Sequence, residues 1–374
     1  MPIRMNFSWR IATVRGIAIR VHATFLFVVA LGALEWGLSH GAKGVVFGGL
    51  LVCLLFTCVA LHELGHSLVA QSVGVSVREI LLLPIGGVAR LGREPKSALH
   101  ELLIAIAGPA VNVVLAVCLG GASVLLVGRG WFSAGGFLQA LGAPPAPATL
   151  LAVLTAANVA LAVFNMIPAL PMDGGRVFRA ILTFFFGKLR ATHIAATVGQ
   201  LLAATLAAVG LMSANLILVL IGVFVFLGAA QERANARMIA SLTGLRAGDA
   251  VDPRGLTLEP GDPLAVAVQY ALRSAQPHYA VVLGDRLVGT LSREEILDGV
   301  RRLGPTTFVA GVMHRDVDEV DESEPLSEVR LRLIDRGGRP LVVRGAEGII
   351  GLIGLDDVAR AATMADLVQH LDAR

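Results

Sequence analysis

Residues 44–70 read GVVFGGLLVCLLFTCVALHELGHSLVA. The stretch carries no charge before His62, then sets His62-Glu63-Leu64-Gly65-His66 inside an apolar run. A run of this kind is a candidate membrane span. On a helix, positions i and i+4 share a face, so His62 and His66 present two imidazoles to one point. Glu63 lies beside them, where a carboxylate can take a proton from water activated by a metal. Polar groups at membrane depth go unsolvated, so this HExxH pattern reads as functional rather than as chance on a surface helix.

The chain has 374 residues, of which 55% are hydrophobic and 16% charged. Soluble domains sit nearer about 25% charged, so this composition predicts a membrane protein with a soluble part attached. Residues 23–231 hold few ionisable side chains, whereas 232–374 are dense in Arg, Asp and Glu. That shift predicts a boundary near Glu232, giving a membrane domain over 1–232, a linker over 233–244 and a soluble domain over 245–374. The net charge is only +3 and the basic residues cluster at span edges, so nucleic acid is not an expected partner. Cys53, Cys58 and Cys118 lie in apolar segments and read as small hydrophobes rather than a disulfide framework. Met1–His22 shows no small-residue cleavage site and is not read as a cleavable leader.

A span needs about 20 apolar residues, which predicts about six transmembrane helices, near 23–41, 45–70, 99–127, 149–168, 193–212 and 215–231. Arg4, Arg10, Arg15 and Arg20 precede the first, Arg78, Arg90, Arg93 and Lys96 follow the second, and Arg176, Arg179, Lys188 and Arg190 follow the fourth. The opposite loops hold only Lys43 and Arg129. The positive-inside rule therefore places both termini in the cytoplasm. Val77–Leu91 (VREILLLPIGGVARL) is too short to span, and Pro84 with Gly86-Gly87 breaks any helix. It is expected to form a membrane-associated β-hairpin, a backbone that at this depth must lie against protein or water. Trp131–Ala148 reads as an outer loop.

A catalytic zinc takes three protein ligands and one open position. Asp173, in the segment NMIPALPMDGGR (165–176), is the leading third ligand. The second and fourth spans both run inward, so Asp173 falls at the depth of His62 and His66. His22, His100 and His193 sit at helix ends and remain rival ligands. Asn112, in the third span, is either a helix–helix hydrogen bond or a substrate or oxyanion contact. These parts predict hydrolysis of a peptide bond, with Glu63 moving the proton from water to the leaving amine. The Pro84–Gly87 hairpin would receive an unwound substrate as an added strand.

The soluble part repeats itself. HYAVVLGDRLVGTLSREEIL (278–297) aligns with RPLVVRGAEGIIGLIGLDDVA (339–359), each preceded by a helical stretch, Pro263–Ser274 and Pro325–Arg336. Two copies about 60 residues apart predict a paired α/β module with a pseudo-two-fold axis.

The HELGH helix, PIGGVARL, GPAVN and NMIPALPMDGGR, in that order, resemble the site-2 protease family of intramembrane zinc metalloproteases over roughly residues 10–232. The resemblance implies one zinc per chain on His62, His66 and Asp173, Glu63 as catalytic base and Asn112 as an active-site contact. Met166 and Met172 stand where the family pattern has leucines. The repeat resembles a tandem pair of cystathionine β-synthase-type (CBS) domains, with copies near 245–300 and 308–361. That module often binds adenine nucleotides through Gly-x-x-Thr/Ser-x-x-Asp. The first copy, Gly289 to Glu295, has Glu295 in place of the aspartate, and the second, Gly351 to Asp357, has Gly354 in place of the hydroxyl. Ser292 and Asp357 are the surviving candidate contacts, so nucleotide binding competes with self-association or docking. The implied protein is a polytopic α-helical membrane protease with a soluble α/β CBS pair, resident in a prokaryotic cell (inner) membrane with its CBS domains cytoplasmic. Its substrate would be a transmembrane or membrane-tethered regulatory protein cut on the cytoplasmic side. A transporter or channel with regulatory CBS domains is the rival function.

Overall fold

The computed structural model describes residues 7–372 apart from 85, 92–94, 96, 129–138, 140, 142, 252–254, 275, 285 and 347. Arg4, Arg93, Lys96, Arg129 and most of the expected outer loop lie outside the described residues. The chain divides into two compact units, Met1–Ala234 and Asn235–Arg374.

Helix α1 covers Phe25–Ser72 and is two helices joined at Gly41, whose φ of 62° and ψ of −148° suit a residue without a Cβ. The halves fold back on one another. The rings of Phe25 and Phe56 meet at 4.7 Å, and those of Trp36 and Phe47 at 4.4 Å. Glycines let the two backbones touch. A Cβ at Gly44 would lie 2.0 Å from the Trp36 carbonyl oxygen, and one at Gly48 2.1 Å from that of Gly32. Helices in lipid associate by such close packing, since burial of apolar surface gives no drive there. The two spans expected over 23–41 and 45–70 are therefore one hairpin. The other long apolar helices are α2 (Ala98–Val127), α3 (Pro147–Asn165), α5 (Lys188–Met212) and α6 (Leu216–Ser241). Their outward faces carry side chains such as Leu125 and Met212, 88% and 89% exposed, which a hydrocarbon solvent accommodates.

Between α3 and α5 lies a shorter amphipathic helix, α4 (Asp173–Phe186), which buries Asp173, Gly174, Gly175 and Ala180. From the sequence, only a proline-broken turn is expected here. Asp173 opens the helix, and its acidic group in the first turn suits the positive end of the helix dipole.

The expected hairpin forms as β3 (Val77–Leu83) and β4 (Gly86–Leu91), but it is half of a larger sheet. Strands β1 (Ser8–Val14) and β2 (Ile17–His22) make a second hairpin, and the order is β1-β2-β3-β4 with β2 and β3 parallel. The signal was present in the arginine-bearing lead segment. Apolar Trp9 and Ile11 alternate with Arg10 and Ala12, and Arg15-Gly16, both with positive φ, form a two-residue turn. One face of the sheet buries Ile17, Ile80 and Leu82 against Ala70 of α1 and Ile104 of α2.

The second unit holds the repeat. Strands β5 (Thr257–Leu258), β6 (His278–Leu283) and β7 (Arg286–Ser292) form one sheet, and β8 (Glu319–Asp321), β9 (Leu341–Gly345) and β10 (Gly348–Ile353) the other. Each sheet is followed by a helix, α9 (Arg293–Leu303) or α11 (Leu355–Asp372). The earlier helical stretches are α8 (Leu264–Arg273) and α10 (Leu326–Asp335), with a single turn, α7, at Ala247–Ala250. The cores are exchanged. Leu242, just before the first copy, and Ala247 and Val251, at its start, pack with Leu326, Leu341 and Val343 of the second. Val309, at the start of the second copy, packs with Leu264, Tyr279 and Leu291 of the first.

The glycine contacts of α1 give a direct test. Gly48→Val places its Cβ into the Gly32 backbone, whereas a Cβ at Gly49 meets nothing nearer than 3.9 Å. Thermal unfolding in detergent is expected to show clear destabilisation, on the order of 1–3 kcal/mol or more, for Gly48→Val and little change for Gly49→Val.

Candidate metal centre

His62 and His66 lie one turn apart on the second half of α1, and both are buried. Their Nε2 atoms are 3.1 Å apart. Asp173 Oδ2, carried in by α4, lies 3.1 Å from His66 Nε2 and 3.3 Å from His62 Nε2. Among the described residues this is the group of three His, Cys, Asp or Glu side chains whose ligand atoms converge closely enough for one ion. The rivals lie elsewhere. His22 is bonded to Thr24 Oγ1 at 2.8 Å, and neither His100 nor His193 belongs to the cluster.

The outer ring nitrogens fix what the inner ones can do. His66 Nδ1 lies 2.6 Å from the carbonyl oxygen of Ile104, which can only accept, so Nδ1 carries the proton. His62 Nδ1 lies 2.6 Å from Asn112 Oδ1 and donates in the same way. In the neutral rings both Nε2 atoms are then bare lone pairs, facing each other and a carboxylate oxygen. Such an arrangement is favourable only around a positive charge. The donors, two imidazoles and one carboxylate, suit a zinc ion with an open fourth position.

The backbone around the cluster is shaped to admit it. Helix α2 passes the histidines at Gly108, where a Cβ would lie 2.2 Å from His66 Nε2 and 2.7 Å from His62 Nε2. Gly65 lets α1 approach α2, since a Cβ there would fall 2.7 Å from Val111 Cγ2. The turn before Asp173 rests on Gly174 and Gly175, whose absent Cβ atoms leave room for the backbone of Met166 and Ala169. Gly108, Gly65 and the Ile104 carbonyl were not singled out from the sequence. The Gly108-Pro109 pair was the available signal, because a mid-span proline that cannot donate marks an irregular helix.

Glu63 is half-buried beside the histidines. Strand β4 crosses over it, so that a Cβ at Gly87 would lie 2.4 Å from Glu63 Cγ. Gly86 faces open space and has a φ of 136°. Asn112 is fully buried, and its Nδ2 has no hydrogen-bond partner among the described residues.

In the second unit, Ser292 lines a cleft of about 590 Å3 with His278, Thr290, Arg293, His314, Arg339 and three carboxylates, Glu294, Glu295 and Asp356. Its hydroxyl already accepts from Glu295 N at 3.2 Å, capping α9. Asp357 is not among the cleft residues. It accepts from Gly354 N at 2.8 Å and pairs with Arg360. Burial holds its carboxyl above the ordinary range, and burial likewise holds the His278 imidazole below its own. The two candidate nucleotide contacts are thus both engaged in local capping, and only Ser292 faces the cleft.

Comparison with known proteins bears on both units. The sequence model of Peptidase family M50 matches residues 50–144 and 138–209, and that of the CBS domain matches 309–363. A zinc metalloprotease of Methanocaldococcus jannaschii is 36% identical over 98% of this chain and 99% of its own. The solved site-2 protease of the same organism is 40% identical, covers 61% of this chain and 95% of its own, and superposes with a TM-score of 0.44.

Gly108→Ala is the most economical probe of the cradle. The added methyl collides with both imidazole nitrogens, so metal measured on purified protein is expected to fall well below one equivalent while the helical content stays that of the parent.

Proposed function

Because the chain belongs to peptidase family M50, the site-2 protease family, and is a membrane metalloprotease carrying a CBS domain, we propose that His62, His66 and Asp173 hold one zinc ion per chain. The observation that carries this reading is the convergence of three lone pairs whose histidines are locked as Nδ1 donors. Membership in a peptidase family also removes the reason to prefer a transporter or channel. Zinc, when bound in such a site, supplies Lewis acidity toward a carbonyl and lowers the pKa of water.

The remaining work falls to the chain's own residues. Glu63, adjacent to His62, accepts the proton of the attacking water and returns it to the leaving amine. The free Nδ2 of Asn112 is a donor for the substrate carbonyl oxygen as charge develops on it. Its Oδ1 meanwhile orients His62. Strand β4 is an edge of its sheet, so its unpaired backbone groups can take an extended substrate segment. Gly87 sets that segment directly above Glu63. A transmembrane or membrane-tethered substrate must unwind to be cut, and pairing to β4 replaces the helical hydrogen bonds it loses. Positive-inside asymmetry supports cleavage on the cytoplasmic side of a prokaryotic cell membrane, with both termini and the CBS pair in the cytoplasm. The working division is a protease domain over 1–232, a linker over 233–244 and the CBS pair over 245–374. For that pair, self-association or docking is favoured over tight adenine nucleotide binding, since three carboxylates line the cleft and Asp357 is engaged elsewhere.

Glu63→Gln separates chemistry from metal binding. Reconstituted with a tethered membrane substrate, the variant is expected to keep one zinc per chain and to lose at least about 100-fold in cleavage rate. Cleavage at the parental rate would remove Glu63 from the mechanism.

Strand β4 is tested by two neighbours. Gly87→Ala drives a methyl into the Glu63 side chain and is expected to slow cleavage by about 10-fold or more with zinc retained, a displacement effect on a reacting group. Ala at Gly86 meets no atom but strains a positive φ, so it is expected to cost stability more than rate.

A further inference from the structure

Asp173 opens α4, and what fixes α4 fixes its carboxylate. Six residues along the same helix, Arg179 is buried between two other helices. Its Nε and Nη2 donate to Glu101 Oε1 at 2.7 and 2.5 Å, and its Nη1 to Glu232 Oε2 at 3.1 Å. Glu101 is 4% exposed and sits in the first turn of α2. One turn further along that helix is Ile104, whose carbonyl holds His66. Glu232 belongs to α6. One turn before it, Gly228 seats the residue two positions ahead of Asp173: a Cβ there would lie 2.7 Å from the Pro171 ring. Helix α6 thus touches the chain on both sides of Asp173, and α2 touches both α4 and the histidines.

A buried ion pair adds little net stability, because desolvation offsets most of its attraction; what it supplies is a defined geometry. The planar guanidinium meets two carboxylates on separate edges, which a single ammonium on a flexible stem would not reproduce. We propose that Arg179 is a positioning residue, which through Glu101 and Glu232 fixes the seat of α4 so that Asp173 Oδ2 stays in reach of the two Nε2 atoms. The inference rests on Asp173 being a metal ligand, as proposed above.

The test uses the full-length protein in detergent and reads zinc release to a chelator, the visible spectrum of the cobalt-substituted form, and melting with and without metal. Arg179→Lys and Glu101→Gln are expected to release zinc about 10-fold faster, the scale of losing an outer-shell partner. Their cobalt bands are expected to change intensity, and zinc is expected to raise their melting temperature by less than it raises the parent's. Glu232→Gln, altered at a half-exposed site that will not endanger folding, is expected to shift release in the same direction by less. Asp173→Asn is expected to lose zinc outright, and adding Arg179→Lys to it to change nothing further. If Asp173→Asn holds zinc like the parent, the ligand assignment fails and this inference with it. If Asp173→Asn loses zinc while Arg179→Lys, Glu101→Gln and Glu232→Gln keep the parental release rate and spectrum, only the positioning role is overturned. An equal drop in metal-free and metal-loaded melting with unchanged spectra would show a purely structural ion cluster, and would overturn it too.

Discussion

Two imidazole nitrogens and a carboxylate oxygen face one another within 3.3 Å at buried side chains. Left alone they repel, and the fold exists in a form that holds them together. That constraint explains why α2, with Ile104 and Asn112, runs beside the HELGH turn: each supplies an acceptor that turns a histidine so its bare nitrogen points inward. It explains the missing side chains at Gly108 and Gly65, since either Cβ would occupy space the cluster or the α1–α2 contact needs. It also explains why the third ligand begins a helix. The amide dipoles of α4 favour an anion at its first residue, and the turn before it is packed against glycines rather than left free.

The membrane supplies the second constraint. A spanning helix satisfies its own backbone, but a strand does not. The four-stranded sheet answers this by pairing β2 with β3 and burying one face on α1 and α2. Its outermost strand on the side of the metal centre remains open. That strand crosses Glu63 at Gly87, and it is the edge on which the proposed substrate pairing relies.

Much of this was legible in the residues. His62, Glu63 and His66 declared themselves through i, i+4 spacing in an uncharged run, and Asp173 through equal depth, an argument from topology rather than contact. The strand–helix order of the CBS pair followed from its internal repeat. What escaped was what depends on packing between distant segments. No pattern near Arg179 says that its partners lie on α2 and α6, because an arginine past a span reads equally well as a topology signal. In the lead segment the same arginines read as a topology signal, which masks the strand alternation and the Arg15-Gly16 turn. Helix α4 was hidden by Pro168 and Pro171, which do break the chain but stop short of Asp173. In the repeat, Ser292 and Asp357 matched a motif by position, yet a sequence cannot say that one carboxylate is spent on Gly354 and Arg360.

The exchanged cores of the second unit bear on how such a module can be inherited. Leu242 and Ala247 complete the copy that comes later in the chain, and Val309 completes the one that comes earlier. A boundary drawn by sequence similarity, such as the match that begins at residue 309, therefore cuts through both cores at once. Neither copy is a self-sufficient particle that could be duplicated, lost or shuffled alone. A deletion of one half would leave the other with an open apolar face where its borrowed residues belong. The shared cores therefore predict that the two copies persist together and not apart.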